Sequence, residues 1–102
     1  MPSSTIYISI FDEQFNDLEN AEIVIYQNQE RKLQQFSSTN PNIFVLDAKP
    51  KEYSFDPFYP EPYLSYDIEV RKEGYFLESR KDIKVFEDIN STLDIVMVKN
   101  NA

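Results

Sequence analysis

The sequence predicts an all-β fold, an antiparallel Greek-key-type β-sandwich of about seven strands in a single domain over residues 1–102. Three observations carry this reading. Apolar residues recur at every second position through most of the chain, which places them on one face of pleated strands. No stretch sustains a helical period, and clusters of Asn, Asp, Ser and Pro separate the patterned segments at near-regular spacing.

The elements follow in order. Ile6, Ile8 and Ile10 alternate with Thr5, Tyr7 and Ser9, so a first strand buries its isoleucines. Asp12 to Asn20 is acidic and Asn-rich and reads as a surface turn. Ala21, Ile23 and Ile25 define the inner face of a second strand, and Val24 and Tyr26 make its other face apolar enough to be covered on both sides. The polar run Gln27 to Lys32 reads as a hairpin connection into a weak third strand, Leu33 to Phe36. Ile43-Phe44-Val45-Leu46 is long enough for a buried strand and too short for a helix.

Residues 48–62 form a proline and aromatic loop, because Pro57, Pro60 and Pro62 fix φ and remove amide donors. Beyond it lies the most clearly patterned strand, with Leu64, Tyr66, Ile68 and Val70 on one face and Ser65, Asp67, Glu69 and Arg71 on the other. Gly74 is the sole glycine and the natural place for a positive φ that reverses the chain between Val70 and Phe76. Tyr75 to Glu78 and Ile83 to Phe86 predict one or two further short strands with Arg80-Lys81-Asp82 between them. After a polar turn at Asp88 to Ser91, Leu93, Ile95 and Met97 define a closing strand, and residues 99–102 are expected to fray.

Composition narrows the function. Hydrophobic residues at 41% and aromatics at 15% suffice to fill a two-layer interior. A net charge of -8 repels phosphate backbones and anionic lipid, so neither nucleic acid nor membrane is an expected partner. No apolar run approaches the roughly 20 residues of a bilayer helix, and the start lacks the pattern of a secretory signal, so a soluble chain is expected. The Asn90-Ser91-Thr92 acceptor triplet has no export signal beside it, which disfavours glycosylation.

Zero Cys excludes disulfides and thiolate metal sites, and zero His removes the usual base for a serine nucleophile. Carboxylates such as Asp67 and Glu69 could in principle serve glycoside cleavage, but their place on one strand face reads as solvated surface. Asp12, Glu13, Asp17 and Glu19 offer oxygen ligands without the glycine or terminal Glu of a calcium loop, so they read as surface charge. Neither a catalytic residue, a cofactor nor a metal is expected.

Tyr53, Phe55, Phe58, Tyr59, Tyr63, Tyr66 and Tyr75 are the densest aromatic group. Exposed rings of this kind stack on sugars or anchor a protein interface, or else they pin a long loop to the sandwich edge. Phe58, Tyr59 and Tyr63 have least claim to the core and are the candidate contact residues. Arg71-Lys72, Arg80-Lys81 and Lys84 could form a basic patch, yet the interspersed Glu69, Glu73, Glu78 and Asp82 favour cross-strand charge pairing.

Taken together, Ala21-Glu-Ile-Val-Ile-Tyr, the proline-aromatic loop, Tyr66-Asp-Ile-Glu-Val-Arg-Lys-Glu-Gly-Tyr and Leu93-Asp-Ile-Val-Met-Val resemble the carboxypeptidase regulatory-like, or prealbumin-like, β-sandwich. Within that group, Leu46-Asp47, the loop from Tyr53 to Asp67 and Ile83 to Leu93 are similar to the amino-terminal domain of clostridial spore cortex-lytic and peptidoglycan-binding proteins. The resemblance implies a non-catalytic module of the spore or cell envelope, partnered by a cell-wall lytic domain and behaving as a removable leading region. A carbohydrate-binding module that grips cell-wall glycan with the aromatic loop is the alternative, and a small glycoside hydrolase is disfavoured. Where members of the group commonly have hairpin glycines this chain has Asn16, Asn20 and Asn28, which tolerate left-handed turns.

Overall fold

A computed structural model describes residues 2–50 and 62–100. The alternation of the sequence becomes seven strands in that span: β1 (Ser3–Phe11), β2 (Glu22–Gln27), β3 (Glu30–Phe36), β4 (Asn42–Asp47), β5 (Leu64–Arg71), β6 (Glu78–Val85) and β7 (Ser91–Val96). They form two sheets, ordered β4-β1-β7 and β3-β2-β5-β6. The connections β2–β3 and β5–β6 stay within a sheet, while every other connection crosses from one sheet to the other. This is the expected all-β sandwich, and no helix occurs among the described residues.

Its interior is the product of period two. Ile6, Ile8, Ile10, Phe44, Leu46, Ile95 and Met97 come from the three-stranded side, and meet Ile23, Ile25, Tyr66, Ile68, Val70 and Val85 from the four-stranded side. Each fully buried Val, Ile or Leu contributes on the order of 1.5–3 kcal/mol of transfer free energy. Every buried side-chain nitrogen or oxygen among the described residues has a hydrogen-bond partner.

Several expectations are corrected in detail. The named strands pair antiparallel except β1 and β7, which run parallel from Ile6↔Ser91 to Phe11↔Val96. The run Gln27 to Lys32 is mostly strand. β2 extends through Gln27, β3 begins at Glu30, and the reversal needs only Asn28 and Gln29, whose φ values of 52° and 66° fit a type I′ turn. β3 is exposed along its whole length because it overhangs the core as an edge. β4 is buried on one face only: Asn42, Phe44 and Leu46 point inward, whereas Ile43 and Val45 face solvent.

Residues Glu78 to Val85 make one strand rather than two, with Arg80-Lys81-Asp82 inside it. A register shift opposite Tyr66 and Ile68, with Asp82 at φ 58°, absorbs the extra residue as a bulge. Gly74 does take a positive φ of 86°, in a turn closed by Tyr75 N–H donating to Lys72 O. Asn20 and Asn28 are left-handed as their composition suggests, but in the first connection Phe15 rather than Asn16 adopts the positive φ. The tail is held further than expected. Lys99 bridges to Tyr75, and the Asn100 amide donates to Gly74 O.

Candidate interaction surface

The proline-aromatic loop leaves and rejoins the sandwich beside one residue, Phe86. On the outgoing side Lys49 forms a parallel bridge with Phe86, and on the returning side the Tyr63 ring lies 5.6 Å from the Phe86 ring at 60°. The Ser4 hydroxyl donates to the Phe86 carbonyl, fixing that residue against β1. Lys84 Nζ sits 5.2 Å from the centre of the Tyr63 ring, within reach of a cation–π attraction. Of the three candidate contact rings, Tyr63 is therefore half-buried between Phe86 and Lys84. Phe58 and Tyr59 lie outside the described residues, as do Tyr53 and Phe55.

Two other members of the aromatic group belong to the interior. Tyr66 is 3% exposed and Tyr75 packs against the core cluster. Burial, with the Asp47 charge adding to it, pushes the Tyr66 phenol up to about 12.

The charged residues sort themselves by pairing on the four-stranded sheet. Arg71 reaches Glu69 at 2.7 Å and Glu22 at 3.6 Å, Arg80 reaches Glu78 at 3.2 Å, and Lys81 lies 3.9 Å from Asp67. Lys72 Nζ donates to the Glu19 carbonyl. The hydrogen bond and charge of Glu69 hold the Arg71 guanidinium above its ordinary value. Ion pairs across strands, Arg71 with Glu22 and Lys81 with Asp67, and within a strand, Arg71 with Glu69 and Arg80 with Glu78, together with the Lys72 contact, engage the basic residues around the Gly74 turn. On that same face Val24 is fully buried, flanked by Gln34 and Glu69, which Glu22 and Arg71 join into one polar network around it.

The acids between β1 and β2 do not converge. Asp12 Oδ1 accepts from the Gln14 and Asn16 amides, Asp17 Oδ2 from the Asn40 amide, and Glu13 Oε1 from the Lys99 amide. Asp12 caps its own turn as an Asx motif, while Asp17 and Glu13 tie that turn to Asn40 and Lys99.

The other outer face was missed by sequence reasoning. On the three-stranded sheet, Ile43 and Val45 of β4 are 56% and 62% exposed, and pair across with Tyr7 and Thr5 of β1. Further along, Phe11 pairs with Val96, and the 71% exposed Phe15 sets its ring 6.2 Å from that of Phe11. Asp47 and Asp94 are the only charged residues in β1, β4 and β7, and neither is basic. The signal was present as a Val-Ile-Tyr alternation without charges, but a short apolar run does not say how many of its faces are covered.

This architecture has a solved counterpart. The chain is similar to 3-chlorocatechol 1,2-dioxygenase from Rhodococcus opacus 1CP, with a TM-score of 0.58 over 97% of this chain and 10% sequence identity. It spans 61% of that enzyme's length, and at such identity the likeness shows the fold alone. No protein-family model and no curated protein matches the chain.

Proposed function

We propose that this domain is a non-catalytic interaction module, an accessory part of a peptidoglycan-lytic system that engages a cell-wall lytic domain. The observation that carries the reading is the asymmetry of its two outer faces. One is laced with ion pairs, while the other presents Ile43, Val45, Phe11 and Phe15 with no basic side chain in its strands. Exposed apolar patches rimmed by polar groups mark interaction sites in soluble proteins. The assignment to wall lysis, and to a cleavable leading region, rests on the resemblance of the Tyr53 to Asp67 and Ile83 to Leu93 segments.

The test is titration calorimetry of the domain against a spore cortex-lytic catalytic domain, with muropeptides as a separate titrant. Saturable heat with the lytic domain, accompanied by altered hydrolysis of cortex fragments, supports the module. Heat with muropeptides alone, abolished by Tyr63→Ala, would replace it with the carbohydrate-binding reading. Cortex cleavage by this domain by itself would overturn the non-catalytic assignment.

A further inference from the structure

Four strands end the two sheets, and they are not alike. Edge strands expose unpaired main-chain groups, and soluble proteins blunt them with charges, prolines, bulges or covering elements. β3 carries Glu30, Arg31 and Lys32 and pairs through a register shift. β6 carries five charged residues and the bulge at Asp82. β7 places Asp94 at its middle. Among the described residues β4 has none of these over Asn42 to Leu46, and it reaches a charge only at its last residue, Asp47.

Beside β4, residues of both sheets meet around an opening. A cleft of about 270 Å³ opens there, lined among others by Lys32, Leu33, Val45, Leu46, Asp47 and Tyr66. A strand added along β4 would turn alternate side chains into this cleft and onto the exposed Ile43 and Val45. Six residues provide a ladder of about 20 Å, enough for an extended peptide.

Charge selects the occupant. The sheet that would be extended carries only Asp47 and Asp94, on a chain of net charge -8. A second copy would bring like charge to the same edge, whereas an apolar segment with basic ends meets Asp47 and the net negative field favourably, the Lys32 ammonium across the cleft being paired with Glu30 at 3.2 Å. We propose that β4 is a docking edge for an extended apolar segment flanked by Lys or Arg, which adds as a fourth strand beside Ile43 and Val45. This rests on the interaction-module reading and names the chemistry of the partner segment.

The experiment titrates the isotope-labelled domain with a synthetic peptide of alternating Val and Thr, with two Lys at each end, and with a twin bearing Glu instead. The Lys peptide is expected to give saturable amide shifts centred on Asn42 to Asp47, and the Glu peptide to bind at least about tenfold more weakly. Val45→Lys is expected to weaken the Lys peptide by a similar factor while the spectrum stays dispersed, and Asp47→Lys gives a second, solvent-exposed variant with the same expectation. Absence of saturable shifts, equal binding of both peptides, or shifts confined to β3, β6 or β7 would overturn the proposal. Concentration-dependent pairing of β4 in the peptide-free domain would overturn it in favour of a second copy. Since no lytic domain enters this titration, binding to such a domain through another surface sinks the edge and spares the module. Peptide capture at β4 without affinity for any lytic domain does the reverse.

Discussion

The Tyr66 hydroxyl donates a 2.8 Å hydrogen bond to the main-chain carbonyl of Asp47, joining β5 of one sheet to the end of β4 in the other. It sits at the open side of the sandwich, where the cleft beside β4 would otherwise let the two layers part. Burial, with the Asp47 charge adding to it, keeps the phenol neutral up to about 12, and the neutral phenol is the form that donates this bond.

That preference for the neutral form fixes a pH dependence. The folded domain holds Tyr66 neutral up to about 12, whereas the unfolded chain ionises it near 10. Its contribution is therefore complete below pH 10 and is lost as pH rises from 10 to about 12, since the unfolded state releases its proton first. Tyr66→Phe should lower stability at neutral pH by about 1 kcal/mol and remove this part of the alkaline decline. Urea unfolding of both proteins across that range, read as the difference between them, checks it.

Val24 and Val45 are the same residue type on the outer faces of opposite sheets, yet one is fully buried and the other 62% exposed. Val24→Ala should cost about 1.5 kcal/mol through lost burial under the Gln34–Glu22–Arg71–Glu69 network. Val45→Ala should stay within about 0.5 kcal/mol. Denaturant midpoints at equal slope separate the two, and a large loss at Val45 would mean that the face is covered.

Backbone conformation gives a pair of opposite effects. Gln29 stands at φ 66° in the β2–β3 turn, where glycine is at no disadvantage, so Gln29→Gly should raise stability by roughly 1 kcal/mol. Gly74 has open space around the position of an added Cβ, so Gly74→Ala tests conformation alone at φ 86° and should lower stability by about 1 kcal/mol. Thermal unfolding of the two variants should shift in opposite directions.

The fold was legible because alternation is a one-dimensional record of a two-sided strand: Ile6, Ile8, Ile10, Tyr66, Ile68 and Val70 point inward as their spacing demands. What the spacing does not encode is the neighbour. Ile43 and Val45 read as buried because they are apolar, and only the placement of β4 at an edge, its outer face uncovered, leaves them in solvent. Asp82 reads as a turn residue and does take a positive φ, yet tertiary pairing with β5 turns that break into a bulge. Among the aromatic candidates, Tyr66 differs from Tyr63 by falling on the inward parity of β5, a distinction that the density of rings in the sequence conceals.

Asn40 shows how a side chain finishes what a strand begins. β4 starts at Asn42, so β1 outruns it, and on that side the Ile10 amide has no main-chain acceptor while its carbonyl accepts from the Leu18 amide. The Asn40 carboxamide fills the place: Oδ1 accepts from the Ile10 amide at 2.9 Å and Nδ2 donates to the Ile10 carbonyl at 2.8 Å. The carbonyl has a second donor in the Leu18 amide, so the Ile10 N–H depends most on Asn40. Asn42 continues the arrangement, donating to the Ile8 carbonyl and to Asn40 Oδ1 while accepting from the Ser38 amide. Asn40→Ala should therefore strand a buried donor and cost about 1–3 kcal/mol, with faster hydrogen exchange at Ile10 than at Ile8. Asn40→Asp keeps the acceptor for the Ile10 amide and loses the donor, so it should protect that amide while still lowering stability. Equal exchange rates at Ile10 in the wild-type and Asn40→Ala proteins would show that the carboxamide does not cap the ladder.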